Sequence, residues 1–222
     1  VRERQRWYRR WTMWVPLHLH SQYSILDAAA SVEGIAKKAK EYGLPAVALT
    51  DHGNMHGAID FYKECLAVNI KPIIGCEVYM APTSRLEKKK IGPRTAYHLI
   101  LLAKDLEGYH NLCRLSSKGY LEGFYYHPRI DKEVLAECSK GLICLSGCMS
   151  SQVAYAALHG SEEQFYAEIA WHCELFGEDY YLELQRHQMA EEKVLGMPET
   201  WLQQHYREFI DKQARLNEML ME

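Results

Sequence analysis

The sequence predicts an α/β fold with a parallel sheet, either doubly wound or closed into a barrel. Short apolar runs, such as those at 44–50 and 97–103, alternate with amphipathic stretches of helical spacing. The connections between them are short, which is typical of strand–helix–strand units. With 222 residues, of which 48% are hydrophobic, the chain is long enough to bury a large core. We expect one domain over 14–222, preceded by a basic extension at 1–13.

The individual elements follow from apolar periodicity and from residues that start and stop helices. Ser31 and Gly43 are the start and stop signals of the first helix, and Asp105 is the start signal of a later one. We expect strands at 14–20, 44–50, 70–80, 97–103, 142–147 and 180–185. We expect further helices at 57–68, 105–119, 150–158, 161–176 and 198–221. In the helix at 57–68, the residues expected to face the core are Ile59, Tyr62, Cys65 and Leu66.

Composition excludes several classes of protein. The net charge of −3 gives no broad basic footprint for nucleic acid, although a local groove stays open. The seven cysteines are irregularly spaced without a C-x-x-C pair, which favours a reduced, cytoplasmic protein. The sequence has no run of 18 apolar residues, so we expect no membrane span.

Residues that can bind metals fall near the predicted strands. His18 and His20 would share one face of the first strand, because alternate side chains point the same way. Glu77 stands among apolar residues, where a carboxylate needs a partner or a metal. Imidazole, carboxylate and thiolate together form a transition-metal ligand set. Each residue alone also has an ordinary structural explanation, such as a hydrogen-bonded histidine, a buried cysteine or a tight Asp-His-Gly turn. The remaining candidates in this pattern are Asp51, His52, His98 and Cys148.

Five ordered motifs carry a family resemblance. They are H-L-H-S at 18–21, T-D-H-G-N at 50–54, G-C-E at 75–77, Y-H-L at 97–99 and L-S-G-C at 145–148. Together with Y-L-E-G-F-Y and P-R-I-D further along, they resemble the PHP (polymerase and histidinol phosphatase) domain. The resemblance is strongest to the version that opens the alpha subunit of bacterial DNA polymerase III.

The resemblance implies a distorted (β/α)7 barrel with a cluster of zinc or manganese ions at its rim. Carried over by position, His18 and His20 would hold one metal, and Glu77 would bridge to a second. His98 and Cys148 would complete the second metal. Asp27 and His52 would serve a third, while Asp51 would orient its neighbour. The family pattern has a further Asp and His on a last strand, so we expect a barrel that lacks its closing strand.

The resemblance also implies a function, with two alternatives left open. The first hypothesis is a 3′→5′ proofreading exonuclease within a magnesium-dependent replicative DNA polymerase, with primer-template DNA and other replicase subunits as partners. The first alternative is a catalytically silent module that docks a separate proofreading exonuclease subunit. The second is a small-molecule phosphatase of the histidinol phosphate type. The presence of all seven ligand positions favours metal binding. His187 is either a substrate contact or a surface residue.

Overall fold

The computed structural model describes residues 14–90 and 92–222, so the predicted extension at 1–13 lies outside the described residues. The chain forms two compact units that divide after Cys144. The predicted domain span of 14–222 stays a prediction. Among the described residues, no helix combines the length and apolar character needed to cross a membrane.

The first unit contains helices packed on a mixed sheet. Its helices are α1 (Val32–Glu41), α2 (Ala58–Ala67), α3 (Leu106–Leu121) and α4 (Lys132–Glu137). Its strands are β1 (Ala46–Leu49), β2 (Lys71–Met80), β3 (Tyr97–Ala103) and β4 (Arg129–Ile130). β5 (Leu142–Leu145) runs across the division and lies next to β3. The start signals hold, because the side chains of Ser31 and Asp105 cap α1 and α3. The sequence did not predict β4 or α4.

The sheet departs from the parallel arrangement between β2 and β3. β1 and β4 both pair with β2 in parallel, with Ala46 opposite Lys71 and Tyr79 opposite Arg129. β3 pairs with β2 antiparallel, with Glu77 opposite Ile100. The described residues of the link between β2 and β3, 81–90 and 92–96, contain no helix, and the chain turns back instead of crossing over the sheet.

The expected first strand at 14–20 is an extended segment rather than a regular strand. It nevertheless follows β1, because the carbonyl of Pro16 accepts from Ala48 N–H at 2.9 Å and that of Leu19 accepts from Thr50 N–H at 2.8 Å. Proline lacks an N–H, which removes one donor from a regular ladder. The segment therefore keeps its histidines beside β1 without full strand pairing.

The predicted inner face of α2 was wrong for three of its four residues. Ile59, Tyr62 and Leu66 are about half-exposed, while Ala58, Phe61 and Cys65 are buried. The buried residues lie at helical spacing and pack with α1 and β1 in one apolar core. The helix is therefore rotated by about one residue, or roughly 100°, from the predicted orientation.

The second unit is mainly helical. It contains α5 (Gln152–His159), α6 (Glu162–Phe176), α7 (Glu191–Leu195) and α8 (Thr200–Met221). A capping box between Ser161 and Gln164 begins α6. Its core joins α5, α6 and α8 through Val153, Phe165, Leu216 and Leu220. The short strand β6 (Tyr180–Tyr181) is bonded to Ser146, whose N–H donates to the Tyr181 carbonyl at 2.9 Å.

Candidate metal centre

A buried carboxylate forms the middle of the candidate site. Glu77 lies on β2 with 1% of its surface exposed. Its Oε2 lies 3.0 Å from His18 Nε2 and 2.7 Å from His20 Nε2. The same oxygen lies 3.3 Å from His52 Nδ1, and Oε1 lies 2.7 Å from His98 Nδ1. Four imidazoles from three chain segments therefore meet at one carboxylate.

Backbone pairing brings these segments together. Glu77 N–H donates to the Asp51 carbonyl at 3.1 Å, and Gly53 N–H donates to the Glu77 carbonyl at 2.8 Å. This isolated parallel bridge places His52 beside Glu77. The antiparallel register of β3 supplies His98, which lies opposite Tyr79. The departure from a parallel sheet thus delivers one of the predicted ligands.

The potential ligand atoms form two groups that share Glu77. One group contains His18, His20 and Glu77, and the other contains His52, Glu77 and His98. In each group the atoms lie within 4.8 Å of one another. His20 Nε2 and His52 Nδ1 are buried and make no hydrogen bond within the described part of the chain. Buried nitrogens that point at a carboxylate oxygen without bonding to it fit a divalent metal well.

The pKa shifts have clear physical causes. Burial alone raises the pKa of the Glu77 carboxyl, but the close imidazoles of His18, His20 and His98 outweigh burial and hold that pKa far below its usual range. Burial lowers the pKa of the His52 imidazole to about 4, and His20 and His98 add to this effect against the opposing charge of Glu77. His52 is therefore neutral near pH 7, which is the form that binds metals.

Asp51 holds the loop that follows the candidate ligands His18 and His20. Its buried carboxylate accepts from the backbone N–H of Ser21 and from the hydroxyls of Ser21 and Ser24, each at 2.7 Å. The Ser24 hydroxyl in turn accepts from His52 N–H at 3.1 Å. The sequence placed these serines directly after H-L-H but did not predict their partner. Asp51 therefore orients both histidine-bearing segments.

The other predicted residues have different surroundings. Asp27 is mostly exposed, and its Oδ2 lies 3.3 Å from His52 Nε2. Cys148 belongs to the second unit, where its sulfur accepts from Ser150 N–H at 3.3 Å. The ring of His187 contacts Gln213, with Nδ1 2.7 Å from the Gln213 amide nitrogen. The assignment of Cys148 to the site and of His187 to substrate both stay predictions.

Two aromatic residues beside the ligands were not predicted from the sequence. The Tyr79 ring stacks on His52 with centroids 5.7 Å apart and on His127 with centroids 4.4 Å apart. Burial raises the pKa of the Tyr79 hydroxyl to about 12, so Tyr79 is neutral near pH 7. For His127, the available sequence signal was the run of aromatic residues in G-F-Y-Y-H at 123–127.

Comparison with known proteins supports a family assignment. The PHP domain pattern matches residues 16–187. DNA polymerase III subunit alpha of Chlamydia trachomatis is 57% identical over 94% of this chain. The same subunit of Deinococcus radiodurans is 48% identical over 80% of the chain, and that of Thermus aquaticus is 45% identical over 81%. The chain spans 17%, 14% and 15% of the length of these three relatives. The family match confirms the predicted fold class, an α/β fold of the PHP type.

Proposed function

This chain belongs to the PHP domain family, and from that premise we propose that it is a metal-dependent phosphodiesterase. The proposed substrate is the 3′ end of a DNA strand, removed in the 3′→5′ direction. The identity to DNA polymerase III alpha subunits supports a replicative role, and we propose that DNA synthesis in that role would use magnesium. Other replicase subunits are its proposed partners.

The observation that carries this proposal is the environment of Glu77. A surface histidine cluster would expose its nitrogens to water, whereas His20 Nε2 and His52 Nδ1 are buried without hydrogen bonds. Both nitrogens lie against the same oxygen, Glu77 Oε2, at 2.7 and 3.3 Å. Burying neutral imidazoles in this way is unfavourable unless a cation binds them.

Each residue has a defined task in this mechanism. His18, His20 and Glu77 would hold one divalent ion, and His52, Glu77 and His98 would hold the other. When bound, such a pair of ions supplies Lewis-acid stabilisation of the phosphate and a nucleophile at neutral pH. Glu77 stays ionised because the neighbouring imidazoles lower its pKa, so its carboxylate would be available to both groups.

Residues around the ligands complete the proposed site. Asp51 fixes the ligand geometry through Ser21 and Ser24. Asp27, exposed at 59% of its side chain, lies where it can accept a proton or join His52 in binding a third ion. Zinc or manganese suits this mixture of imidazole and carboxylate.

Metal content and strand shortening test the proposal together. We would purify the full chain without chelator, measure zinc and manganese by elemental analysis, and follow a 5′-labelled single-stranded oligonucleotide. The variant His20→Ala is matched by His205→Ala, which removes an exposed imidazole from α8. We expect two or more ions per chain and shortening from the 3′ end, with both lost in His20→Ala alone.

Three results would contradict the proposal. Absence of metal from the wild-type chain would exclude the hydrolase. Bound metal without cleavage would favour the module that docks a separate exonuclease subunit. Cleavage of histidinol phosphate in place of DNA would favour the small-molecule phosphatase.

A further inference from the structure

A row of aromatic rings leads away from the candidate metal centre. Tyr79 lies between two imidazoles, with interplanar angles of 19° to His52 and 21° to His127. The edge of Tyr79 also meets His98, with centroids 5.3 Å apart. Tyr79 therefore contacts two candidate ligands and also His127. His127 belongs to neither of the two candidate metal-binding groups.

His127 belongs to a tight turn with an exposed tyrosine at its tip. Tyr125 N–H donates to the His127 carbonyl at 3.0 Å, which closes the turn. Between them, Tyr126 has φ +61° and 73% of its surface exposed. A bulky side chain rarely adopts this left-handed conformation, and such strain persists only where the surroundings enforce it.

Buried contacts enforce the shape of the turn. The guanidinium of Arg129 lies 5.0 Å from the centre of the Tyr125 ring. It also donates to the carbonyls of Gly123 and Glu87, at 3.2 and 2.7 Å. The Tyr125 ring meets that of Tyr126 edge-on at 4.7 Å. The exposed ring is thus backed by a second ring that is itself fixed by a buried cation.

The turn and the ligand loop are packed together closely. Gly53, which follows His52, has φ +63°, and a Cβ added there would lie 2.7 Å from Pro128 Cγ. The same Cβ would lie 3.1 Å from the Tyr79 ring. Because a Cβ does not fit at Gly53, the loop that carries His52 packs directly against Pro128, two residues after Tyr126.

From this arrangement we propose that Tyr126 stacks on the last unpaired base of a DNA strand whose terminal phosphodiester lies at the metal centre. This inference rests on the function proposed above and adds how the end of the strand is recognised. Aromatic side chains bind single strands by stacking on base faces, independently of sequence.

Binding without cleavage tests this role. The probe is a single-stranded oligonucleotide with a 3′-terminal 2-aminopurine and a phosphorothioate at its last linkage, which resists hydrolysis. We would titrate it with the full chain and with Tyr126→Ala, Tyr126→Trp and Tyr126→Gly. Glycine removes the ring and also relieves the left-handed strain, so this variant separates stacking from misfolding. Tyr166→Ala, which removes a half-exposed ring from α6, is the matched control.

We expect Tyr126→Ala and Tyr126→Gly to raise Kd about tenfold and to abolish the quenching of 2-aminopurine. Tyr126→Trp and Tyr166→Ala should stay within about twofold of the wild-type chain. Unchanged Kd in both the Ala and Gly variants would overturn the proposal, as would the absence of oligonucleotide binding by the wild-type chain.

Cleavage of an unmodified oligonucleotide is scored separately, so that the two proposals can fail independently. If the wild-type chain cleaves the oligonucleotide and Tyr126→Gly leaves Kd unchanged, the stacking role is overturned and the proposed hydrolase stands. Weaker binding in Tyr126→Gly without cleavage by any chain would support the stacking role and contradict the hydrolase.

Discussion

Two regions of the first unit each bury a carboxylate, but they surround it with different partners. Asp131 accepts from the Arg85 guanidinium at 3.0 and 3.1 Å, from Arg85 N–H at 2.9 Å and from Val134 N–H at 3.1 Å. Glu77 instead faces four imidazoles from three segments. Guanidinium is a permanent cation without lone pairs, whereas a neutral imidazole carries a lone pair that can bind a metal.

The difference separates a structural ion pair from a ligand-binding site. No buried side-chain nitrogen or oxygen of Arg85 or Asp131 lacks a hydrogen bond among the described residues. Around Glu77, the nitrogens His20 Nε2 and His52 Nδ1 do lack one. A region in which every buried polar group has a hydrogen bond stabilises the fold. A region that leaves buried nitrogens without hydrogen bonds is a candidate binding site for a ligand or an ion.

The largest expected effect comes from Glu77→Gln. The amide keeps the size of the side chain but removes the charge and one acceptor oxygen, so both candidate metal groups lose their shared ligand. We expect the metal content to fall to background in elemental analysis. Asp131→Asn is the matched control and should retain the wild-type metal content. Full metal occupancy in Glu77→Gln would show that Glu77 is a structural carboxylate like Asp131.

The second prediction concerns the effect of Asp131→Asn on the free energy of unfolding. In Asp131→Asn the buried guanidinium of Arg85 loses its ionised buried partner, and α4 loses the carboxylate at its N-cap. Breaking a buried charge pair and weakening a cap should together lower the free energy of unfolding by about 3 kcal/mol. Urea unfolding followed by circular dichroism measures this change. A loss below about 1 kcal/mol would mean that the remaining partners of Arg85 compensate fully.

The sequence pointed to several residues of the candidate metal centre because their pattern is local. Glu77 was noticeable as a carboxylate among apolar neighbours, and alternation on an extended segment placed His18 and His20 together. Periodicity also located most strands and the starts of α1 and α3. These features depend on residues that lie close together in the chain.

What the sequence could not supply depends on packing between distant segments. The helix α2 carries apolar residues on two faces, so Ile59 and Phe61 were equally suitable for the core until α1 and β1 packed against it. The antiparallel pairing of β3 depends on how the 81–96 link turns back. The stacking of Tyr79 on His127 joins residues that no local pattern connects.

A third substitution tests whether Asp51 belongs with Glu77 or with Asp131. Its carboxylate accepts several hydrogen bonds, like that of Asp131, but its partners Ser21 and Ser24 follow the candidate ligand His20 in the chain. In Asp51→Asn one acceptor oxygen becomes a donor, so the Ser21–Ser24 loop should shift. We expect metal affinity in calorimetric titration to fall about 10- to 100-fold, as for other residues that orient ligands. Asp60→Asn on the exposed face of α2 is the control. Unchanged affinity in Asp51→Asn would assign Asp51 a purely structural role.

The smallest expected effect lies within the Arg85 region itself. Glu133 contacts Arg85 Nη1 at 2.8 Å, as Asp131 does at 3.0 Å, but 70% of the Glu133 side chain is exposed. Water already solvates that carboxylate, so Glu133→Gln should lower the free energy of unfolding by less than about 1 kcal/mol. Urea unfolding of both variants gives the comparison directly, because Glu133→Gln and Asp131→Asn each remove one negative charge that contacts the Arg85 guanidinium. Equal losses would mean that contact with Arg85, rather than burial of the carboxylate, determines the stability of this region.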